Sequence, residues 1–440
     1  EEVTIAEVLK SAGYATHAIG KWHLGHLPQF LPTSQGFDSY FGIPYSNDMD
    51  RAAESPRGRE AFWAPKAEYW NVPLMRGTEI VERPTDQNTI TRRYTDEVVR
   101  LIQESKDRPF FIYLAHSMPH VPLFASEQSA GGSRRGLYGD VIEEIDWSVG
   151  RVLDTLVELN LDKRTLVVFT SDNGPWLIFD QHGGSAGLLR DGKGCTWEGG
   201  MREPALFWWP GTIRPAVVRE LGSTLDLLPT AAKLAGAAAP ADRVLDGYDL
   251  SPVLLGAGTS PRETVFFYRG TQLYAVRKGA FKAHFITQPA YGPGKPEQHD
   301  PPLLLVRPVK DRDVADTLDE HRVGAGGQFV DDRVAGLAVR GGDLHLDQLV
   351  VLQRGGDLGH DRVGQALAAD LQHGVEVVCL PAQESVLGGG QGDRHALDQV
   401  GEQVLRVSWR VRNALISGHF PPAPGSRSPW PPAARAASAG

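Results

Sequence analysis

Two periods of hydrophobic spacing alternate along the first 300 residues. Residues 5–12, 92–104, 141–159 and 225–235 repeat apolar positions at helical spacing. Between them lie short apolar runs rich in β-branched and aromatic residues, at 15–19, 110–114, 166–170 and 205–209. Runs of that kind, bounded by polar loops, read as buried strands. Strands alternating with helices predict an α/β sandwich around a mostly parallel central sheet. The chain opens on Thr4-Ile5-Ala6-Glu7, a capping-box signature ahead of the first helical stretch. Near Phe266 the pattern changes. Residues 271–277 and 280–286 flank Lys278-Gly279, a hairpin signal, so a small antiparallel domain is expected to start there.

Composition divides the chain further. Residues 1–265 form the expected main domain and 266–305 the start of the small one. From about residue 306 the character shifts: after Lys310 there is no Lys, Tyr or Met, and Gly, Asp, Arg, Val and Leu dominate. Short Val/Leu clusters broken by Gly and Asp build neither period, and the last residues are rich in Pro, Ala and Ser. Residues 306–440 are therefore expected to be an atypical tail, out of frame or disordered.

Charge and cysteine content narrow the function. The net charge of −9 does not attract nucleic acid or an anionic membrane, though a local basic cleft for a small anion is compatible with it. Cys195 and Cys379 cannot build a disulfide framework or a zinc ligand set. No apolar run reaches the roughly 18 residues of a transmembrane helix. The first residues lack the basic start and apolar core of a signal peptide. A chain that starts directly on a helix reads as a fragment.

Candidate chemistry gathers where strands end, which in open α/β sheets is the edge that holds the ligand crevice. Gly20-Lys21-Trp22-His23-Leu24-Gly25 follows the first strand. Lys21 and His23, two apart on extended backbone, point the same way and suit an anionic ester. Gly42-Ile43-Pro44-Tyr45-Ser46-Asn47-Asp48 can present the Ser46 hydroxyl, although turns favour such residues for backbone reasons alone. In Ala115-His116-Ser117-Met118-Pro119-His120-Val121-Pro122, His120 sits on backbone stiffened by prolines, while His116 reads as a loop histidine without a role. Asp172-Asn173-Gly174 follows an apolar strand and offers the oxygen ligands that hard divalent cations take. Gly192-Lys193-Gly194 allows close backbone approach and presents a point charge to an anion. Its glycine spacing is not that of a P-loop.

In order and spacing these segments resemble the sulfatase family of the alkaline phosphatase superfamily, above all its arylsulfatase A branch. The resemblance is carried by residues 20–25, 42–46, 170–175, 187–204 and 225–229, by Asp246-Gly247-Tyr248-Asp249-Leu250-Ser251-Pro252, and by Lys282-Ala283-His284-Phe285. It covers residues 1 to about 305. It implies an alkaline-phosphatase-like sandwich and Ca²⁺-dependent hydrolysis of a small-molecule, glycan or lipid sulfate ester. By the same resemblance Asp172 and Asn173 match Ca²⁺ ligands. Lys21 and His23 match groups that contact a formylglycine hydrate, with Ser46 near it. His120 and Lys193 match residues that hold the sulfate and assist the leaving oxygen, and His284 matches a histidine on the pocket rim. An exported or lysosomal location is implied as well.

The departures from the family pattern are specific. The Cys/Ser-x-Pro-x-Arg segment that yields formylglycine does not occur here, and Cys195 lacks its Pro and Arg. The family's other pair of Ca²⁺ aspartates is also missing. The chain is thus expected to hold the electrostatic half of the site and to be inactive as it stands. A phosphoryl or phosphonate hydrolase of the same superfamily, or a non-catalytic degenerate relative, is the alternative.

Overall fold

A computed structural model describes residues 2–291 and 294–306 and, beyond them, the backbone of three further strands. The chain divides into a unit of Glu1–Gly389 and a second of Gly390–Gly440, which lies wholly outside the described residues.

The main sheet is built from β1 (Ala15–Gly20), β2 (Ser39–Gly42), β3 (Leu74–Arg76), β4 (Glu79–Glu82), β5 (Phe110–Ala115), β6 (Thr165–Thr170), β7 (Ala205–Trp208) and, from the tail, Gln348–Gln353. Its order is β4-β3-β2-β1-β5, then Gln348–Gln353, then β6-β7. β1 runs parallel to β2 and β5. The tail strand is antiparallel to both β5 and β6, so these two share one direction. β3, β4 and β7 add antiparallel edges. Every position of β1 and β6 is buried, as continuous apolar runs covered on both faces require.

Helices cover that sheet by predictable faces. Ile90–Ser105 buries Ile90, Tyr94, Val98, Leu101 and Ile102, one helical stripe, and lies against β1, β5 and the long helix Gly136–Glu158. Ile5–Ser11 starts with the expected capping box, in which the Thr4 side chain accepts from Glu7 and Glu7 from Thr4. It packs on β1 and on the helix Leu227–Ala235. The latter is anchored by Asp226, fully buried, which accepts from Arg262 Nε at 2.9 Å and from the Tyr248 and Ser223 amides at 2.8 Å each.

A second, antiparallel sheet follows. It contains β8 (Thr264–Arg269), β9 (Gln272–Lys278), β10 (Phe281–Thr287), β11 (Glu297–Val306), β12 (His321–Val323) and β13 (Phe329–Val330), in the order β13-β12-β11-β10-β9-β8. β9 and β10 form the predicted hairpin, and Gly279 takes the left-handed φ of 54° that the turn needs. Beyond residue 305, β12 and β13 add to the sheet. Likewise Gln348–Gln353 (β14) joins the main sheet, its Gln-Leu-Val-Val-Leu-Gln run being apolar enough for an interior strand. The remainder of the expected tail lies outside the described residues. Among the described residues no helix is long and apolar enough to cross a membrane.

Candidate active site

Three strands end side by side and deliver three loops to one place. A Cβ on Gly20 would lie 1.8 Å from the Ala115 carbonyl oxygen, and a Cβ on Gly42 would lie 1.8 Å from that of Gly20. Only glycine lets the ends of β1, β2 and β5 approach so closely. Backbone bonds then tie the loops: Lys21 N–H donates to Ala115 O at 2.7 Å, Trp22 N–H to Ile43 O at 3.0 Å and His23 N–H to Pro44 O at 3.1 Å. A fourth loop, after β6, is tied to residues 191–200 in the same manner. Gly174 N–H donates to Gly200 O at 3.3 Å and Lys193 N–H to Pro175 O at 2.8 Å.

His120 is held from several sides. Its Nδ1 lies 2.7 Å from Val121 O, 3.1 Å from Asn47 Oδ1 and 3.5 Å from Ser46 Oγ. The carbonyl and the amide oxygen only accept, so Nδ1 carries the proton and Nε2 is the atom that exchanges one. Fully buried Asn47 also donates to the His120 and Pro122 carbonyls at 3.3 and 3.0 Å. The imidazole sits 5.5 Å from the Trp176 ring, and Lys193 Nζ lies 5.0 Å from the centre of that same ring. Ser46, His120, Trp176 and Lys193 thus form one connected group.

Electrostatics join the remaining residues to it. Burial first, and then the charges of Lys21 and Lys193, hold His23 below the ordinary histidine value against the opposite pull of Asp48 and Asp172. His23 therefore feels Lys21, Lys193 and Asp172 together. It also takes a φ of 56°, an uncommon conformation for a residue with a side chain. Asn173 is positioned by its amide, which donates to Gly174 O at 3.0 Å.

Two further histidines are buried. His284, matched by resemblance to a pocket-rim histidine, is 0% exposed and lies against Trp197 with ring centres 4.3 Å apart, and neither ring nitrogen has a hydrogen-bond partner among the described residues. Burial, then Lys282, lowers its pKa to about 3. Period two explains the placement, since Lys282, His284 and Ile286 share the inward face of β10. His116 is buried as well, with Nε2 3.4 Å from Ser148 Oγ, and burial lowers its pKa to about 4.

Sequence reasoning missed Asn47, Trp176 and Glu203. Asn47 and Trp176 stood inside or beside the singled-out segments, where nothing but the fold reveals their neighbours. Burial, and then the Asp172 carboxylate, push Glu203 up to about 8, and its Oε1 is buried without a hydrogen-bond partner. Among the described residues, no three His, Cys, Asp or Glu gather as a metal cage.

A family model described as Sulfatase matches residues 1–237, and one described as the C-terminal region of aryl-sulfatase matches residues 260–305. The chain is 43% identical to arylsulfatase A of Homo sapiens over 335 residues, which is 69% of this chain and 64% of that protein. It is 44% identical to N-acetylgalactosamine-6-sulfatase of Canis lupus familiaris over 303 residues, 65% of this chain and 55% of that one. It thus spans less than two thirds of the length of either relative. Among solved structures it is similar to a sulfatase from Pseudoalteromonas sp., with a TM-score of 0.61 and 27% identity over 69% of this chain and 66% of that chain.

Proposed function

The chain belongs to the sulfatase family, and we propose that its pocket binds the sulfate group of an ester and serves its hydrolysis. The observation that carries this is the meeting of Lys21, His23, Ser46, His120, Asp172 and Lys193 where the strands and loops are tied together. Cleaving a sulfate ester requires positive charge on the sulfuryl oxygens and an acid for the leaving oxygen. Lys21 and Lys193 supply the charge. His120 Nε2 supplies the proton, because Val121 and Asn47 keep Nδ1 protonated and the ring fixed.

The residues present fit Ca²⁺ in kind. Asp172 and Asn173 offer hard oxygen donors, and the buried Oε1 of Glu203, without a partner, is a third of the same type. They fall short of the roughly six to eight oxygens such an ion takes, so they are part of a ligand set. A Ca²⁺ ion held there adds Lewis-acid stabilisation of the sulfate oxygens. Glu203 then serves as a donor whose charge the burial otherwise suppresses.

The covalent half is a different matter. By the family resemblance Lys21, His23 and Ser46 would contact a formylglycine hydrate, but its Cys/Ser-x-Pro-x-Arg precursor does not occur in these 440 residues. Cys195 does not replace it: the thiol is buried, and burial followed by Asp191 pushes its pKa up to about 11. The substrate is a small-molecule, glycan or lipid sulfate, and the location exported or lysosomal.

Calorimetric titration with 4-nitrophenyl sulfate and 4-nitrophenyl phosphate tests the reading. The sulfate ester is expected to bind, with Lys193→Ala and His120→Ala each weakening it about tenfold or more, the range of a lost charged hydrogen bond. Tighter binding of the phosphate ester, or no loss in either variant, overturns it in favour of phosphoryl chemistry or a degenerate site.

A further inference from the structure

Lys193 stands on a stretch with little regular secondary structure, and a flexible ammonium needs a fixed backbone to hold one geometry. The backbone is held by the small antiparallel sheet and by the loop that leaves its strand β10. Tyr291 N–H donates to Lys193 O at 3.0 Å, and Arg269 Nη1 of β8 to Gly194 O at 2.5 Å. Lys282 Nζ of β10 donates to Thr196 O at 2.7 Å, and Ala290 N–H to Asp191 Oδ2 at 3.0 Å. These contacts hold one loop, residues 191–196, from above.

One side chain just beyond that loop, at the start of the short helix Glu198–Met201, reaches back. Glu198 takes Lys282 Nζ at 2.8 Å and Arg277 Nη1 at 3.1 Å. Arg277 of β9 and Lys282 of β10 are direct cross-strand partners. Two cations opposite one another on a sheet repel, and here both are largely buried, Lys282 being 4% exposed and stacked over Phe267 at 3.9 Å. Such a pair is a receptor waiting for an anion, and the Glu198 carboxylate is the anion that both share. Burial pulls the Glu198 pKa upward, but Lys282 and Arg277 outweigh it and hold the group charged.

We propose that Glu198 is a positioning residue: by docking on the Arg277–Lys282 cross-strand pair it clamps residues 191–197 to the small sheet and thereby fixes Lys193 for the sulfate group. Glu198 itself does not touch substrate. The inference rests on the proposed sulfate pocket, and it assigns the small sheet a part in building that pocket.

The test uses the full chain, inorganic sulfate as the probe, and a double-mutant cycle with Lys193. Glu198→Gln keeps the shape and removes the charge, and Arg277→Gln is a milder variant that leaves Lys282 in place. Glu198→Gln is expected to weaken sulfate binding about tenfold and Arg277→Gln about threefold. In a Lys193→Ala background neither is expected to weaken it further, which a loss of general stability would not reproduce. Amide hydrogen exchange at residues 192–197 is expected to quicken at least about tenfold while β1 and β5 keep their protection. Equal losses with and without Lys193, or unchanged exchange at 192–197, overturn the proposal. Faster loop exchange with sulfate affinity intact overturns it too. No sulfate binding by the wild-type chain instead overturns the pocket reading on which it rests.

Discussion

His120 is fixed at Nδ1 by Val121, Asn47 and Ser46, which leaves Nε2 for the proton transfer proposed above. Lys193 lies beside the same Trp176 ring, where the proposed pocket uses its charge. Burial of two other histidines bears on stability. His116 and His284 are held neutral, with pKa values lowered to about 4 and about 3. Both lie below the roughly 6.5 of the unfolded chain. Between those limits the unfolded state takes up protons that the folded state refuses. Their contribution is complete above pH 6.5 and is lost as the pH falls toward 4 and 3. Each histidine costs up to about 1.4 kcal/mol per pH unit in that window. The urea midpoint is expected to drop from pH 7 to pH 5, and His284→Phe to make that drop shallower. A midpoint that holds or rises on acidification refutes the assignment.

Elements carry these residues by close contacts that tolerate little change. Gly42→Ala places a Cβ against the Gly20 carbonyl oxygen, which is backbone and cannot yield. It is expected to cost about 1–3 kcal/mol, as overpacking does, and to loosen the loops of Lys21 and Ser46 together. The buried pair Arg262–Asp226 anchors the start of Leu227–Ala235 and the backbone at Asp246. Arg262→Met leaves Asp226 charged and buried, at a cost of about 3–5 kcal/mol in chemical denaturation. A loss below about 1 kcal/mol shows that the carboxylate finds other partners. The long elements were legible because their periods are long: the helices over Ile90–Ser105 and Gly136–Glu158 and the runs of β1, β5 and β6 lie within a few residues of the sequence reading. β2, β3 and β4 were not read, since three or four residues leave no period to count and, unlike the equally short β7, they carry no continuous apolar run. Lys21 and His23 follow the end of β1 and Asp172 that of β6, and the sequence singled them out on that ground; Lys193 stands away from any strand end. The burial of His284 was not read, although Ile286, two residues on, already marked that face of β10 as inward. Asn47 and Glu203 depend on neighbours distant in sequence, and no local pattern announces those.

At the scale of the whole molecule, the proposed anion pocket lies at the ends of main-sheet strands, and the small sheet contacts the loop that carries Lys193. In the proposed Ca²⁺ site, Asp172, Asn173 and Glu203 supply only part of the oxygens such an ion takes, so Ca²⁺ is expected to raise the thermal midpoint only at millimolar concentration. Asp172→Ala is expected to remove that rise, and a submicromolar effect would point to a complete cage. Without the formylglycine precursor, the purified 440-residue chain is expected to bind an aryl sulfate and not to turn it over. The most direct measurement of the central claim is a crystal grown with selenate, whose anomalous signal marks where a sulfate-shaped anion sits. The account predicts a peak within hydrogen-bonding distance of Lys193 Nζ and His120 Nε2, with Lys21 facing it. A well-diffracting crystal with no peak there, or with its strongest peak away from these residues, would contradict it.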